Sequence, residues 1–212
     1  MRKSVRHMSA ESQASRLFGD FTNQQGLVYP EMKPDTHWVE PFEIPKDGML
    51  LMGVDFGVVH PFAAIVCYYE ARTDTLFVID EYYKTEYSTI QNVNMIKSRF
   101  KDYMPFDYII CDPESKDARI IMARMGLPNL PAPKHIGLVE TINQLKERLC
   151  IDADGQPHIK FFKGKLPNLM KEFRLYRWQE SAARQAPIKR SDHGLDSLRY
   201  ISCWLWRFLK HQ

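Results

Sequence analysis

The apolar positions first gather at residues 49–57 (MLLMGVDFG), a short run closed by an acid and a glycine. Such a run predicts a buried strand. A second run, 62–71 (FAAIVCYYEA), is joined through RTDT to a third, 76–83 (LFVIDEYY). Three strands in succession, the last two joined by a short link, predict an antiparallel meander. The period then changes. Ile90, Val93, Met95, Ile96 and Phe100 form a helical stripe behind Ser88, a residue suited to cap it, so a helix is expected over roughly 89–103. Residues 106–113 (FDYIICDP) form another apolar strand that ends on an acid. A short helix follows at 116–126, closed by Gly126, then a brief strand, LPAP, at 130–133. An amphipathic helix is expected over 137–149 and a strand over 158–162 (HIKFF). A helix is expected over 167–178, with Pro167 in its first turn. The last helix starts near Asp192 and runs to about Phe208.

The resulting order is β-β-β-α-β-α-β-α, followed by additions. Three antiparallel strands and then parallel strands with helical crossovers make a mixed α/β sheet with helices on both faces. That order is the one found in RNase H-like folds. Upstream, residues 23–48 carry four prolines and two glycines with little periodicity, so they read as an ordered connector rather than a core element. The expected division is an arm over 1–48 and a folded domain over 49–212.

Composition narrows the class. The chain has 212 residues, 44% hydrophobic and 26% charged, which fits a soluble globular domain. No run approaches the ~18–20 apolar residues of a membrane span, and the start, MRKSVRHMSAESQ, has no apolar segment of a secretory signal. Cys67, Cys111, Cys150 and Cys203 show no zinc spacing and no C-x-x-C pair. They read as thiols of a reducing, intracellular compartment. The net charge of +3 argues for no nucleic-acid partner in bulk, so any such argument rests on where the charges sit.

The stretch 192-DHGLDSLRY-200 opens an apolar helix with two acids and a histidine. Asp192, His193 and Asp196 share one helix face by their spacing. Asp55 ends the first strand and Asp112 the fourth; if those strands are neighbours, both carboxylates emerge at one sheet edge, where open α/β sheets place their ligands. No cation in sequence neutralises this group, so an ion between the acids is expected to offset their repulsion. Oxygen ligands suit Mg²⁺ or Mn²⁺, and two such ions ~3.5–4 Å apart support phosphodiester hydrolysis. Taken singly, each acid also reads as a strand-end turn residue or a helix cap, His193 as a surface histidine, and Glu81 as a sheet-face acid.

With these residues in view, the stretches 53-GVDFGVVHPFAAIV-66, 78-VIDEYY-83, 108-YIICDPES-115, 172-EFRLYRWQE-180 and 188-IKRSDHGLDSLRYI-201 resemble the C-terminal nuclease domain of the large terminase subunit of tailed bacteriophages. The resemblance covers about residues 15–205, and its most specific part is Asp-His-x-x-Asp followed by Leu-Arg-Tyr. It implies a two-metal endonuclease, with two Mg²⁺ or Mn²⁺ ions when DNA is bound, that cuts concatemeric double-stranded DNA during genome packaging. It implies metal acids at Asp55, Asp112 and Asp196, with His193 and Asp192 at or beside the metal. It implies a portal protein, a small terminase subunit and the chain's own ATPase domain as partners. The place of action implied is the cytoplasm of an infected bacterium and, transiently, the procapsid portal. No G-x-x-x-x-G-K-[ST] occurs, so the ATPase half is missing and the arm is expected to be its remnant, with the isolated domain a monomer. One departure stands out: cellular RNase H enzymes carry an acid on the first helix, whereas here that helix has none before Asp102.

The basic residues Lys160, Lys163, Lys165, Lys171, Arg174, Arg177, Arg184, Lys189 and Arg190 cluster late in the chain. Of these, Lys160, Lys163, Lys165, Arg184, Lys189 and Arg190 are candidates for holding DNA phosphates beside the acids. Trp204 and Trp206 read as core packing of the last helix, whose WLWRFL segment also offers a docking patch. Other readings stay open: a resolvase or transposase core, an actin-like kinase fragment, and a non-catalytic DNA-binding or docking module.

Overall fold

The computed structural model describes residues 26–179, 186–190 and 192–210. Seven strands form one sheet in the order β1-β7-β4-β3-β2-β5-β6. The strands are β1 (Trp38–Val39), β2 (Met49–Asp55), β3 (Phe62–Glu70), β4 (Thr75–Lys84), β5 (Tyr108–Cys111), β6 (Leu130–Pro131) and β7 (Ile159–Phe162). The meander β2-β3-β4 is antiparallel, and β5, β6, β7 and β1 each run parallel to the neighbour they join. The helices are α1 (Pro34–His37), α2 (Thr89–Arg99), α3 (Lys116–Arg124), α4 (Leu138–Leu149), α5 (Pro167–Leu175) and α6 (His193–Lys210). Among the described residues no helix is long and apolar enough to cross a membrane.

Strand period explains the two layers. Leu51, Ile65, Cys67 and Ile110 face the layer of α4, α5 and α6, whereas Met52, Val54, Val66 and Cys111 face α2 and α3. Continuing the alternation carries Gly53 and Asp55 of β2, and Asp112 beyond β5, to the α6 side. Local signals read from sequence set several boundaries. Ser88 and Gln91 form a reciprocal capping box on α2, and Gly126 (φ 87°) takes the left-handed position after α3. Cys67, Cys111 and Cys203 are buried; Cys150 is exposed.

Three readings are corrected. The proline-rich stretch before β2 is no mere connector: Val28, Tyr29 and Met32 are fully buried, and β1 pairs with β7 at the sheet edge. These contacts come from loop and single-turn backbone, which has no periodicity to read. The helix expected over 167–178 stops at Leu175, and Arg177 and Trp178 instead bridge to Leu27 and Pro187. Trp204 does pack against the core, on Tyr108 and stacked on Phe208, ring centroids 4.4 and 4.9 Å apart, whereas Trp206 is half-buried and lies under the Lys210 ammonium instead. The segment around ESQASRLFGDF, read as a helix end, lies outside the described residues.

α6 lies directly on the backbone of β2. A methyl group on Gly53 would meet the Ser197 carbonyl group and come within 3.0 Å of Ile201. Gly53→Ala is therefore expected to destabilise the fold by about 1–3 kcal/mol, the range for overpacking a filled core. At Gly137, the N-cap of α4, an added Cβ would meet nothing, so Gly137→Ala is the control for crowding and should cost only the small loss of a poorer cap. Urea unfolding of the two variants checks this, and equal midpoints would refute it.

Candidate active site

β2 and β5 are parallel neighbours, with Val54 opposite Cys111 and the Asp112 N–H donating to the Val54 carbonyl at 2.9 Å. Asp55 and Asp112 thus leave the same sheet edge side by side. The first turn of α6 adds His193 and Asp196. The His193 Nδ1–Asp55 Oδ2 distance is 2.8 Å, and both side chains are largely buried. The Asp196 N–H donates to the Asp192 carbonyl at 2.7 Å. A cleft of about 890 Å³ opens here, lined by Asp55, Asp192, His193 and Asp196 together with Lys171, Lys189, Arg190 and Arg199.

Asp55, Asp112 and Asp196 are each already engaged. Asp112 accepts the Glu114 N–H at 2.9 Å and the Ser115 hydroxyl at 2.6 Å, a turn arrangement. Asp196 accepts from Arg199, whose guanidinium reaches it at 2.8 Å and also donates to Thr141. The expectation that no cation neutralises these acids is therefore corrected. Arg199, three residues after Asp196 on the same helix face, is the cation. Among the described residues no three His, Cys, Asp or Glu side chains are drawn close enough together to hold a metal ion as they stand. The donor set still suits a hard divalent cation, and the acids remain close enough to act on one another.

That coupling is visible in Asp55. Its pKa is raised from 3.8 to about 6, chiefly by burial; the His193 hydrogen bond opposes the rise, and the charges of Asp196 and Asp112 add to it. The same bond to Asp55 raises His193 above its ordinary value. Burial, with Asp196 beside it, also raises Asp192.

Two acids have roles that the sequence did not reveal. Glu81, read as a sheet-face acid, is buried and caps α5: its carboxylate accepts the Asn168 and Leu169 N–H groups at 2.7 and 2.8 Å. Glu172 on α5 does the same for α6. Its Oε2 accepts the Gly194 and Leu195 N–H groups at 2.8 and 3.0 Å, and burial pushes its carboxyl up to about 7. A signal for Glu172 was present: it lies between Leu169, Met170 and Phe173 on the apolar face of α5. His60 was also missed; its ring stacks on His193 with centroids 5.8 Å apart.

The basic candidates divide. Lys189 and Arg190 line the acidic cleft, as does Lys171. Lys160 is bonded to Gln156 and Lys163 to Glu40, and neither they nor Lys165 line that cleft. Arg184 lies outside the described residues.

A mixed sheet, antiparallel and then parallel, with acids at the ends of two adjacent parallel strands and on the facing helix, defines an α/β domain with an RNase H-like fold. Within that class, the chain has the fold of bacteriophage large-terminase nuclease domains. It matches the P22 large terminase nuclease domain with a TM-score of 0.67 at 21% identity, over 87% of this chain and 94% of that one. It matches the nuclease domain of the SPP1 large terminase, solved with bound Mn, with a TM-score of 0.58 at 17% identity, over 81% and 96% of the two chains. The large terminase of a thermophilic bacteriophage gives a TM-score of 0.74 at 17% identity over 94% of this chain and 53% of its own. The chain thus spans about half the length of that larger protein. No protein-family model matches the sequence, and no curated protein sequence matches it.

The buried acids have a measurable consequence. Asp55 and Glu172 hold protons when folded at pH values where the unfolded chain has released them. Their contribution to stability is full below about pH 4 and is lost as pH rises through about 6 to 7; raised His193 adds a loss in the same direction. Relative to Asp55→Asn, the wild-type chain should lose about 1–2 kcal/mol more between pH 5 and pH 8. Parallel pH–stability curves for the two proteins would contradict the burial argument.

Proposed function

We propose that the chain is the endonuclease domain of a phage large terminase, hydrolysing phosphodiester bonds of double-stranded DNA with divalent metal ions during genome packaging. One observation carries this reading: on a terminase-nuclease fold, Asp55 and Asp196 line one cleft with a cationic rim, and Asp112 leaves the neighbouring strand end close enough to act on Asp55. Asp55, Asp112 and Asp196 would hold Mg²⁺ or Mn²⁺, with Asp192 and His193 beside them. Bound divalent ions, two when DNA is present, would supply activation of water and neutralisation of charge at phosphorus.

The chain's own groups prepare that site. Arg199 orients Asp196 and offsets repulsion among the acids until a metal takes its place. His193 keeps its Nδ1 turned to Asp55. Lys171, Lys189 and Arg190 face the cleft and would hold backbone phosphates, a contact that carries no base readout, so cutting by the domain alone is loose in sequence. On this reading the N-terminal arm leads from an ATPase domain. The portal protein and small terminase subunit are partners in the assembled motor. The work is done in the infected bacterial cytoplasm and briefly at the procapsid portal, while the isolated domain is a monomer.

Supercoiled plasmid incubated with the pure chain should be nicked and linearised with Mn²⁺ or Mg²⁺. Cutting should be lost with chelator and fall at least 100-fold in Asp112→Ala. No cutting by folded protein with either ion would favour a docking module instead. For DNA binding at low salt, neutralising Lys171, Lys189 and Arg190 together should weaken affinity more than neutralising Lys163 and Lys165, and flatten its salt dependence. An equal loss from both sets, by fluorescence anisotropy, would remove the cleft rim from the interface.

A further inference from the structure

We propose that Glu172 is a positioning residue for the acidic site, setting the first turn of α6 so that His193 and Asp196 reach Asp55. The inference rests on the nuclease reading for its consequence and on geometry for its cause.

The first turn of a helix leaves backbone N–H groups without partners, and a side chain near the helix start commonly accepts them. In α6 two of these donors, Gly194 and Leu195, go to Glu172, which belongs to another helix. A local cap would fix only the shape of the turn. A cap from α5 also fixes where the turn sits. α5 is held in the same way, by Glu81 of β4. The links close a ring: β4 holds α5, α5 holds α6, and α6 reaches back to β2 through His193 and Asp55. Since β2, β3 and β4 are adjacent strands, every member of the ring is tied to one sheet.

The site end of α6 has little room to relax. Gly194 lies against the Tyr83 hydroxyl so closely that a Cβ there would overlap it, and Oε2 of Glu172 would stand 3.1 Å from that Cβ. His193 and Asp196 flank the two capped residues. Losing the Glu172 acceptor would leave two buried donors unsatisfied directly beneath them. Groups that orient ligands in this manner change metal affinity without touching the metal.

Glu172→Ala, Glu172→Gln and Glu81→Gln would be compared by thermal unfolding, by Mn²⁺ affinity without DNA (electron paramagnetic resonance), and by the imidazole ¹⁵N resonances of His193 in metal-free protein at one fixed pH. Glutamine keeps an oxygen that can accept both N–H groups, so Glu172→Gln should bind Mn²⁺ within threefold of wild type. Glu172→Ala should bind at least tenfold more weakly and lose the ¹⁵N signature of the His193–Asp55 hydrogen bond. Glu81→Gln, which removes one of the two acceptor oxygens that hold α5, should shift both readouts in the same direction as Glu172→Ala and by less. A folded Glu172→Ala protein with unchanged Mn²⁺ affinity and His193 resonances would overturn the proposal. If Glu172→Ala does not fold, Glu172→Gln decides, and a tenfold loss there would overturn it. If wild type binds no Mn²⁺, the metal reading fails, while the His193 resonances still report whether Glu172 positions α6.

Discussion

The position of α6 on β2 governs the rest of the molecule, and it depends on two places where a side chain is missing. At Gly53 the helix backbone descends onto the strand; at Gly194 the first turn fits under Tyr83. Excluded volume leaves α6 one depth and one rotation. Its two ends then serve different tasks: the first turn presents polar groups to the strand ends, and the later turns bury Leu198, Ile201 and Leu205 in the core. A small shift of this helix would change the packing of one layer and the spacing of the acids together.

The electrostatics follow from that placement. Bringing Asp55 and Asp196 to one sheet edge and partly burying them sets up a repulsion that the chain offsets with Arg199 and His193. Both partners come from the same helix as Asp196, so the neutralising groups arrive with the charge that they balance. The acids are held close without being driven apart, and a stronger cation can compete for them. A divalent ion and Arg199 cannot both have full use of Asp196, so any metal that enters does so by exchange.

Much of this was legible in the sequence. Apolar runs that end on Asp55 and Asp112 reveal strand ends, and alternation then dictates which face each acid takes. The spacing of His193 and Asp196 gives one helix face, and the fold class follows from the order of periodic segments. What stayed hidden depends on tertiary parity and on loops. In β4 the pairing slips by one residue, so Val66 faces Asp80 while Cys67 faces Val78. That bulge reverses the side on which later residues fall, and it is why Glu81 and Tyr83 meet α5 and α6. No local pattern announces such a slip. Val28, Tyr29 and Met32 were hidden for another reason: they pack from irregular backbone, where burial has no period.

The two edges of the sheet are both strands of two residues, β1 and β6, and β6 contains Pro131, which has no N–H to offer. An edge so short gives another chain almost nothing to pair with. Several copies of the domain can therefore stand side by side at high local concentration without zipping into a continuous sheet, and their association is left to surfaces other than the backbone.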